Sequence, residues 1–356
     1  MIKSLKILSC CFLILVACAC ETQSTQSTKK EQTMAVAATE ISLQDITSEN
    51  IVEVISANVQ RYKWEPLYYL RIGKANCMIE VLVNDMPVYK SYSLSNLASP
   101  LEINHKILKT GTHTVTVRMY PVGDLIKEAY DYGETVTHLG DASSVYVKVV
   151  RYNNQGDMSF DDEFEVKNHQ SPTKDADGEI FAGSGLTYFE YSFEFHADVP
   201  YDLSENSWGN AADLREVKPA YLEKETFNYY QTFLREFKKR NKDYIAKLYF
   251  ETLLVQAQTY YKTEGGIKAG WDEELELLNN PTIEPQPITN YELVFYARGR
   301  VCYLRLKTKE DLFYRNKCAG WVKYTEDGLE YGTFFGLYLY CPKHGFSKRG
   351  FKLRKA

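Results

Sequence analysis

Three cysteines and one histidine near the end of the chain have the residue types of a tetrahedral zinc site: Cys302, Cys318, Cys341 and His344. Structural zinc sites usually hold two ligands on one short Cys-x-x-Cys turn. That spacing is absent, and only Cys341 and His344 are close in sequence. The pattern therefore favours a disulfide with a buried free thiol over zinc. We expect Cys302 to be bridged to Cys318 or Cys341, and the sequence leaves both pairings open.

Acidic residues in the middle of the chain have the oxygen ligands that calcium prefers. They form two groups, Asp157 with Asp161-Asp162-Glu163, and Asp175 with Asp177 and Glu179. The second group turns at Gly178 but lacks the later ligand positions of an EF-hand loop. We therefore predict solvated acidic loops between strands, and we expect neither a metal nor a cofactor.

Motifs for nucleophilic and nucleotide chemistry are missing. Gly183-Ser184-Gly185 does not form the Gly-x-Ser-x-Gly elbow of hydrolases, and the histidines are scattered, without a His-Glu-x-x-His pair. Neither a P-loop nor a dinucleotide fingerprint occurs. The formal net charge of −5 argues against a general nucleic-acid binder. These observations favour binding over catalysis.

The last segment, 343–356, reverses the acidic character of the chain. It contains no acidic residue, and its basic residues are Lys343, Lys348, Arg349, Lys352, Arg354 and Lys355. A basic residue near an anionic membrane contributes about 1 kcal/mol to binding. The sequence therefore predicts either contact of Lys348, Arg349, Lys352, Arg354 and Lys355 with a membrane or an acidic partner, or a solvated terminus.

The start of the chain has the order of a bacterial export signal. Lys3 and Lys6 precede an apolar run over 7–16, which is shorter than the roughly 20 residues of a membrane-spanning helix. Leu15-Val16-Ala17-Cys18 follows and resembles the lipobox of bacterial lipoproteins. The resemblance implies that residues 1–17 are removed as a signal peptide, and that the Cys18 thiol carries the lipid.

Two neighbours of Cys18 refine this interpretation. Cys20 is a competing lipid site, but Cys18 has the preferred leucine three residues upstream. Ala19 follows Cys18 where a retention signal would have Asp, so the resemblance implies a lipid-anchored protein in the cell envelope, in the outer membrane. Disulfides persist in that compartment.

The patterns along the chain divide it into segments. Residues 18–48 begin with a Ser-, Thr- and Gln-rich stretch that predicts a flexible tether. Short alternating runs over 49–197 predict an antiparallel β-sandwich. They also predict a hairpin turn at 84–87, another turn at 109–111 and one aromatic stripe over 189–195. Residues 198–222, rich in Pro, Gly and Asn, are the predicted linker between two domains. Apolar residues at helical spacing and then alternating runs over 223–342 predict an α+β domain. They also predict a helix break at 241–243, a third helix over 271–278, and strand pairs joined at 298–299 and at 326–328.

The order of elements in the second domain, helices followed by a curled antiparallel sheet, is similar to the NTF2-like fold. Such a fold would place a pocket under the helices. Five side chains on the helices could act as catalytic groups in such a pocket: Tyr229, Tyr230, Glu251, Tyr260 and Tyr261. Their helical spacing also fits a simpler interpretation, in which they form the core and the rim of the domain.

The sequence as a whole predicts a tethered, tyrosine-rich envelope protein with a binding role. Tyrosine provides a large contact area with one polar group, which suits recognition. The expected partner is an envelope protein, a glycan or a toxin that the protein neutralises in the periplasm. The alternative is an envelope enzyme that works in a pocket of the C-terminal domain.

Overall fold

The computed structural model describes residues 42–154, 159–174, 177–205, 207–308, 311–343 and 354–355. These residues form a mixed α/β structure with antiparallel sheets, and strands dominate its N-terminal part. The helices are α1 (Ile51–Asn58), α2 (Leu125–Tyr130), α3 (Pro219–Lys238), α4 (Lys242–Thr259) and α5 (Glu264–Asn279). None of these described helices combines the length and the hydrophobicity that crossing a bilayer requires.

The strands of the N-terminal part are β1 (Leu67–Ala75), β2 (Met78–Val83), β3 (Met86–Ser91), β4 (Leu101–Glu102), β5 (Lys109–Tyr120), β6 (Ser144–Tyr152), β7 (Phe164–Gln170) and β8 (Phe189–Asp202). They form two four-stranded antiparallel sheets with the orders β4-β1-β6-β7 and β3-β2-β5-β8. Both sheets contribute to one hydrophobic cluster. The predicted stripe on β8 is confirmed, since Phe193 and Phe195 are buried and Phe189 and Tyr191 pack against the same cluster.

Local turn chemistry explains the β2–β3 hairpin. Asn84 and Asp85 both have positive φ, 53° and 61°, which these residue types tolerate better than most. The turn predicted at residues 109–111 is wrong. Lys109 and Gly111 lie inside β5, where the pairing with β8 shifts register between them. Gly111, with φ of 145°, allows that irregularity without ending the strand.

The three long helices follow the predicted periodicity. The predicted break at residues 241–243 is confirmed, because Asn241 Oδ1 accepts a hydrogen bond from the Tyr244 N–H at 3.2 Å and caps α4. Helix α5 starts earlier than its apolar spacing predicted, at Glu264. Thr263 caps it by accepting from the Gly266 N–H at 3.3 Å, so the glycines lie within the first turn.

The C-terminal strands are β9 (Glu284–Pro285), β10 (Tyr291–Tyr296), β11 (Val301–Leu306), β12 (Trp321–Glu326), β13 (Leu329–Phe334), β14 (Leu339–Tyr340) and β15 (Arg354–Lys355). The predicted β10–β11 and β12–β13 hairpins are confirmed. The single curled sheet is not seen. Strand β11 pairs with β10 and β14, whereas β12 pairs with β9 and β13, so the strands form two separate sheets.

Residues from the predicted tether, sandwich and linker segments also pack against the C-terminal helices. Helix α1 contacts α4 and α5, and its Ile51 and Ile55 are fully buried in the cluster formed by the C-terminal elements. Trp208, Ala211 and Leu214, from the predicted linker, are buried in the same cluster. The hydrophobic core of the C-terminal part therefore includes side chains from outside 223–342.

Candidate functional site

A groove of about 370 Å³ lies beside strand β10. Ligand sites in proteins typically enclose about 300–1,000 Å³, so the groove is large enough for side chains of a partner. Its lining residues are Arg215, Val217, Pro219, Glu223, Tyr291, Glu292, Leu293, Phe295 and Lys307.

One wall of the groove is the segment that enters α3. Asp213 caps a short 3-10 turn by accepting from the Arg215 N–H at 3.0 Å. Its carboxylate also pairs with the Arg215 guanidinium at 2.5 Å, and this hydrogen-bonded pair lowers the pKa of Asp213 to about 2. Pro219 then occupies the first position of α3, where its missing N–H costs no helical bond. The wall is thus locally fixed.

The floor of the groove is one face of β10. Tyr291, Leu293 and Phe295 alternate along the strand and therefore point to the same face. Helix α3 covers one end of this face, where the ring of Phe227 stacks on Tyr291 at 5.8 Å between centroids. The other end is open, and Phe295 remains 38 % exposed. The groove therefore presents apolar side chains to solvent.

Strand β10 is also an open sheet edge. It has one neighbour, β11, and no other described strand pairs with it. The Lys307 N–H donates to the Asn290 carbonyl at 2.8 Å, which identifies residues 290 and 307 as a hydrogen-bonded pair of the ladder. Because such pairs alternate in an antiparallel ladder, the backbone groups of Tyr291, Leu293 and Phe295 point away from β11. The same three residues thus offer both side chains and free backbone groups.

A second cavity of about 40 Å³ lies between α4, β14, β15 and the turn Asn104–Lys106, and we call it the lysine cavity. Its volume suits a few water molecules and is far below that of a typical substrate site. Its lining residues are His105, Lys106, Ser207, Trp208, Glu251, Thr252, Val255, Gln256, Tyr340 and Lys355.

Burial shifts the titratable groups of the lysine cavity. It lowers the pKa of Lys106 and of Lys355 to about 8, with mutual repulsion lowering that of Lys106 further. Burial also lowers the pKa of His105 well below its usual value, so this imidazole is neutral at physiological pH. The His105 Nδ1 lies 2.6 Å from the Tyr260 hydroxyl. Glu251 accepts a hydrogen bond from the Tyr340 hydroxyl at 3.2 Å.

A third polar cluster joins the sheet of β2, β3 and β5 to the loop that follows β11. The buried Glu80 carboxylate accepts hydrogen bonds from the Tyr92 hydroxyl and from Asn316 Nδ2. Arg118 Nη1 lies 3.7 Å from the same carboxylate. Since these groups satisfy one another and no described cavity opens beside them, we interpret the cluster as a structural connection between the two parts of the chain.

The predicted cysteine site is not assembled. Cys302, Cys318 and Cys341 are buried thiols outside any disulfide, and so is Cys77. Each thiol of the three has its own neighbour: Cys302 contacts the Thr226 hydroxyl, Cys318 accepts from the Gly320 N–H, and Cys341 contacts the Pro342 carbonyl. The predicted disulfide is therefore not formed in this structure, and His344 lies outside the described residues.

The described residues contain no group of His, Cys, Asp or Glu that could hold a metal ion. Of the acidic candidates, Asp157 and Asp175 lie outside the described residues. Glu163 forms an ion pair with Arg71 at 2.5 Å and accepts from the Tyr152 hydroxyl, which fixes it to the outer face of its sheet.

The predicted basic tail is described only at its end. Lys348, Arg349 and Lys352, together with Cys18, lie outside the described residues. The backbone of Arg354 and Lys355 pairs with β14. The Lys355 ammonium lies 3.5 Å from the centroid of the Tyr249 ring, inside the lysine cavity. The Lys355 side chain is therefore directed into the lysine cavity.

The candidate helical side chains belong to different places. Tyr230 is fully buried, donates to the Leu337 carbonyl at 2.7 Å and accepts from the Leu304 N–H at 3.0 Å, as a core residue does. Tyr261 is buried in the cluster of the N-terminal sheets. Tyr229 packs against the C-terminal cluster, whereas Glu251 and Tyr260 reach the lysine cavity or its rim.

Sequence reasoning missed Lys106 and the open edge of β10. Lys106 stands between the apolar residues Ile103 and Ile107-Leu108, and this position in the sequence indicates a buried charge. Nothing local distinguishes an edge strand such as β10 from a central one.

In comparisons with protein-family models, with curated proteins and with solved structures, the chain has no match.

Proposed function

We propose that this protein is a lipid-anchored envelope protein that binds an extended segment of a partner protein along strand β10. One observation carries the proposal: Tyr291, Leu293 and Phe295 present outward backbone groups and apolar side chains at the same edge. In strand addition, a peptide pairs with an open edge through its backbone, and its alternate side chains fill adjacent pockets.

The groove beside this edge suits such a segment. A strand paired with β10 would direct every second side chain into the space between β10 and the start of α3. Apolar side chains would contact Leu293 and Phe295, and polar ones would meet Glu223 or Lys307 at the rim. Proteins normally protect long open edges with prolines, charges or covering segments. An open edge with an exposed phenylalanine is therefore a feature that a partner would explain.

The remaining parts of the proposal come from the sequence. Lipid on Cys18 would hold the protein at the membrane, and the Ser-, Thr- and Gln-rich start of 18–48 would let the folded part, which includes the buried Ile46, stand away from it. We also propose that the two hydrophobic clusters mark two domains, a β-sandwich within 49–197 and an α+β domain within 223–342. In this arrangement the groove belongs to the second domain.

A photo-crosslinking experiment in the producing bacterium tests the site. Phe295 is replaced by p-benzoylphenylalanine, and Leu329, an exposed residue on β13, receives the same replacement as a control. We expect a crosslinked partner protein from position 295 and none of that mass from position 329. Mass spectrometry identifies the crosslinked segment, which should be extended and alternately apolar.

A proline scan of β10 supplies the matched variants. The Leu293 N–H points to the open edge, so Leu293→Pro should preserve the fold and reduce crosslinking from position 295 about tenfold. The Val294 N–H bonds to β11, so Val294→Pro should lower the melting temperature instead. Equal crosslinking with and without Leu293→Pro would refute the site. A crosslinked product that contains two copies of this chain would show that the segment bound at β10 comes from a second copy and not from another protein.

A further inference from the structure

The Lys106 side chain is held in the lysine cavity without a counterion among the described residues. It is only 8 % exposed. Its ammonium group forms no hydrogen bond and no ion pair with any residue that the structure describes, and it lies 6.0 Å from the centroid of the Tyr338 ring. A buried ammonium without an anion is unfavourable by several kcal/mol in ordinary proteins. Such a group points to a ligand that supplies the charge.

The position of Lys106 is fixed by its backbone and its neighbours. The Lys106 N–H donates to the Ile103 carbonyl at 2.9 Å, and its carbonyl accepts from Asn84 Nδ2 at 2.7 Å. Asn104, two residues earlier, forms three further hydrogen bonds. The turn cannot easily move the lysine to solvent, so the charge is held where the fold places it.

Lys355 brings a second ammonium group to the same cavity. It lies over the Tyr249 ring. The carboxylate of Glu274 on α5 favours its charged form, but the two groups form no direct ion pair. Both lysines line this cavity, and the charge of Lys355 disfavours the charged form of Lys106. Glu251 is the acidic residue in the lining, and its carboxylate bonds to the Tyr340 hydroxyl. The lining therefore has an excess of positive charge.

We propose that the lysine cavity binds a small oxyanion, a phosphate or sulfate group, between the ammonium groups of Lys106 and Lys355. The cavity volume of about 40 Å³ admits one such group and excludes a nucleotide or a sugar. Gln256 lines the same cavity, and its side-chain amide supplies a neutral hydrogen-bond donor for one of the remaining oxygens. The site is separate from the groove at β10, so the two proposals stand or fall independently.

The phosphate group has two possible sources, the free ion and the phosphoester of a lipid headgroup. Isothermal titration of the full detergent-purified protein with inorganic phosphate and with glycerol phosphate separates them. Tighter binding of glycerol phosphate assigns the site to a phosphoester, and equal or weaker binding assigns it to the free ion. Absence of saturable binding of phosphate, glycerol phosphate and sulfate overturns the proposal.

Three variants locate the binding. Lys106→Met and Lys355→Met should each weaken phosphate binding at least about tenfold, because each removes one charge from the site. Lys268→Met is the matched control, since Lys268 is exposed and pairs with Asp272 on the surface of α5. Phosphate binding that survives both Lys106→Met and Lys355→Met would overturn the proposal.

A measurement on the unmodified chain covers the case in which a variant does not fold. Mass spectrometry measures the rates at which a chemical reagent acetylates Lys106, Lys355 and the control Lys268, in the presence and absence of phosphate. We expect phosphate to slow acetylation of Lys106 and Lys355 several-fold and to leave Lys268 unchanged. Equal rates at all three lysines with and without phosphate would contradict the site.

Discussion

The side-chain amide of Asn104 donates a hydrogen bond to the carbonyl oxygen of Thr259 at 2.9 Å and thereby joins the N-terminal sheets to the end of α4. The same amide donates to the Pro66 carbonyl at 2.9 Å, and its Oδ1 accepts from the Tyr68 N–H at 2.6 Å. Asn104 is fully buried. One side chain therefore satisfies three backbone groups from two regions of the chain, and it also holds the turn that carries Lys106.

We expect Asn104→Ala to lower the free energy of unfolding by about 3 kcal/mol, because buried backbone groups lose their partners. Urea denaturation followed by circular dichroism measures the change. Asn168→Ala is the control, since Asn168 is exposed on β7, and its effect should be within about 0.5 kcal/mol. A loss for Asn104→Ala no larger than that of the control would show that the bonds contribute little.

The sequence predicted what local chemistry determines. The hairpin at Asn84-Asp85 and the one at Asp327-Gly328 were predictable because these residues adopt positive φ, which the tight turns require. The break before α4 was predictable because Asn241 caps it. In each case the residues that determine the structure are close together in the chain.

The candidate sites were less accessible because they depend on distant pairings. Strand β11 pairs with β14, near the end of the chain, and this pairing leaves β10 at the edge. Lys106 and Lys355 meet only because β15 adds to β14. A disulfide was predicted because three cysteines lie in the C-terminal part of the sequence, but each of them is a buried thiol outside a disulfide in the structure. No local pattern contains this information.

The hydroxyl of Tyr92 should contribute measurably to stability through the Glu80 carboxylate. We expect Tyr92→Phe to lower the free energy of unfolding by about 2 kcal/mol, because a buried carboxylate loses a hydrogen-bond donor. Tyr146→Phe is the matched control, since the Tyr146 ring is exposed on β6. Thermal unfolding of both variants measures the difference. Equal melting temperatures would show that Asn316 and Arg118 suffice to satisfy Glu80.

The buried cysteines should resist modification in the folded protein. Burial raises the pKa of Cys77 to about 11 and that of Cys302 to about 12, so the reactive thiolate is scarce at neutral pH. We expect iodoacetamide to leave Cys77, Cys302, Cys318 and Cys341 unmodified in the native protein and to modify all of them in denaturant without reductant. Peptide mass spectrometry reports each site. A pair that stays unmodified in denaturant until reductant is added would support the disulfide expected from the sequence.

The last prediction concerns the pH dependence that the lysine cavity imposes. The folded-state pKa of Lys106 is about 8, below its ordinary value of 10.5, so the folded protein releases this proton before the unfolded chain does. Between these two values the unfolded chain binds more protons, and the free energy of unfolding therefore rises with pH. Below a pH of about 8 both states are protonated, and the cost of the buried charge is constant. Lys355 on β15 acts in the same direction, since its pKa is also lowered to about 8.

We expect Lys106→Met to increase stability at neutral pH by about 1–3 kcal/mol in a buffer free of phosphate and sulfate, because it replaces an unpaired buried charge by an apolar side chain. It should also flatten the rise in stability above a pH of about 8. His105, neutral in this range, adds no slope, so the difference between the two curves reports the titration of Lys106. Urea denaturation at a series of pH values measures both effects, with Lys268→Met as the control. Parallel pH curves for the original chain and Lys106→Met would contradict the assignment, because they would mean that Lys106 titrates alike in the folded and unfolded states.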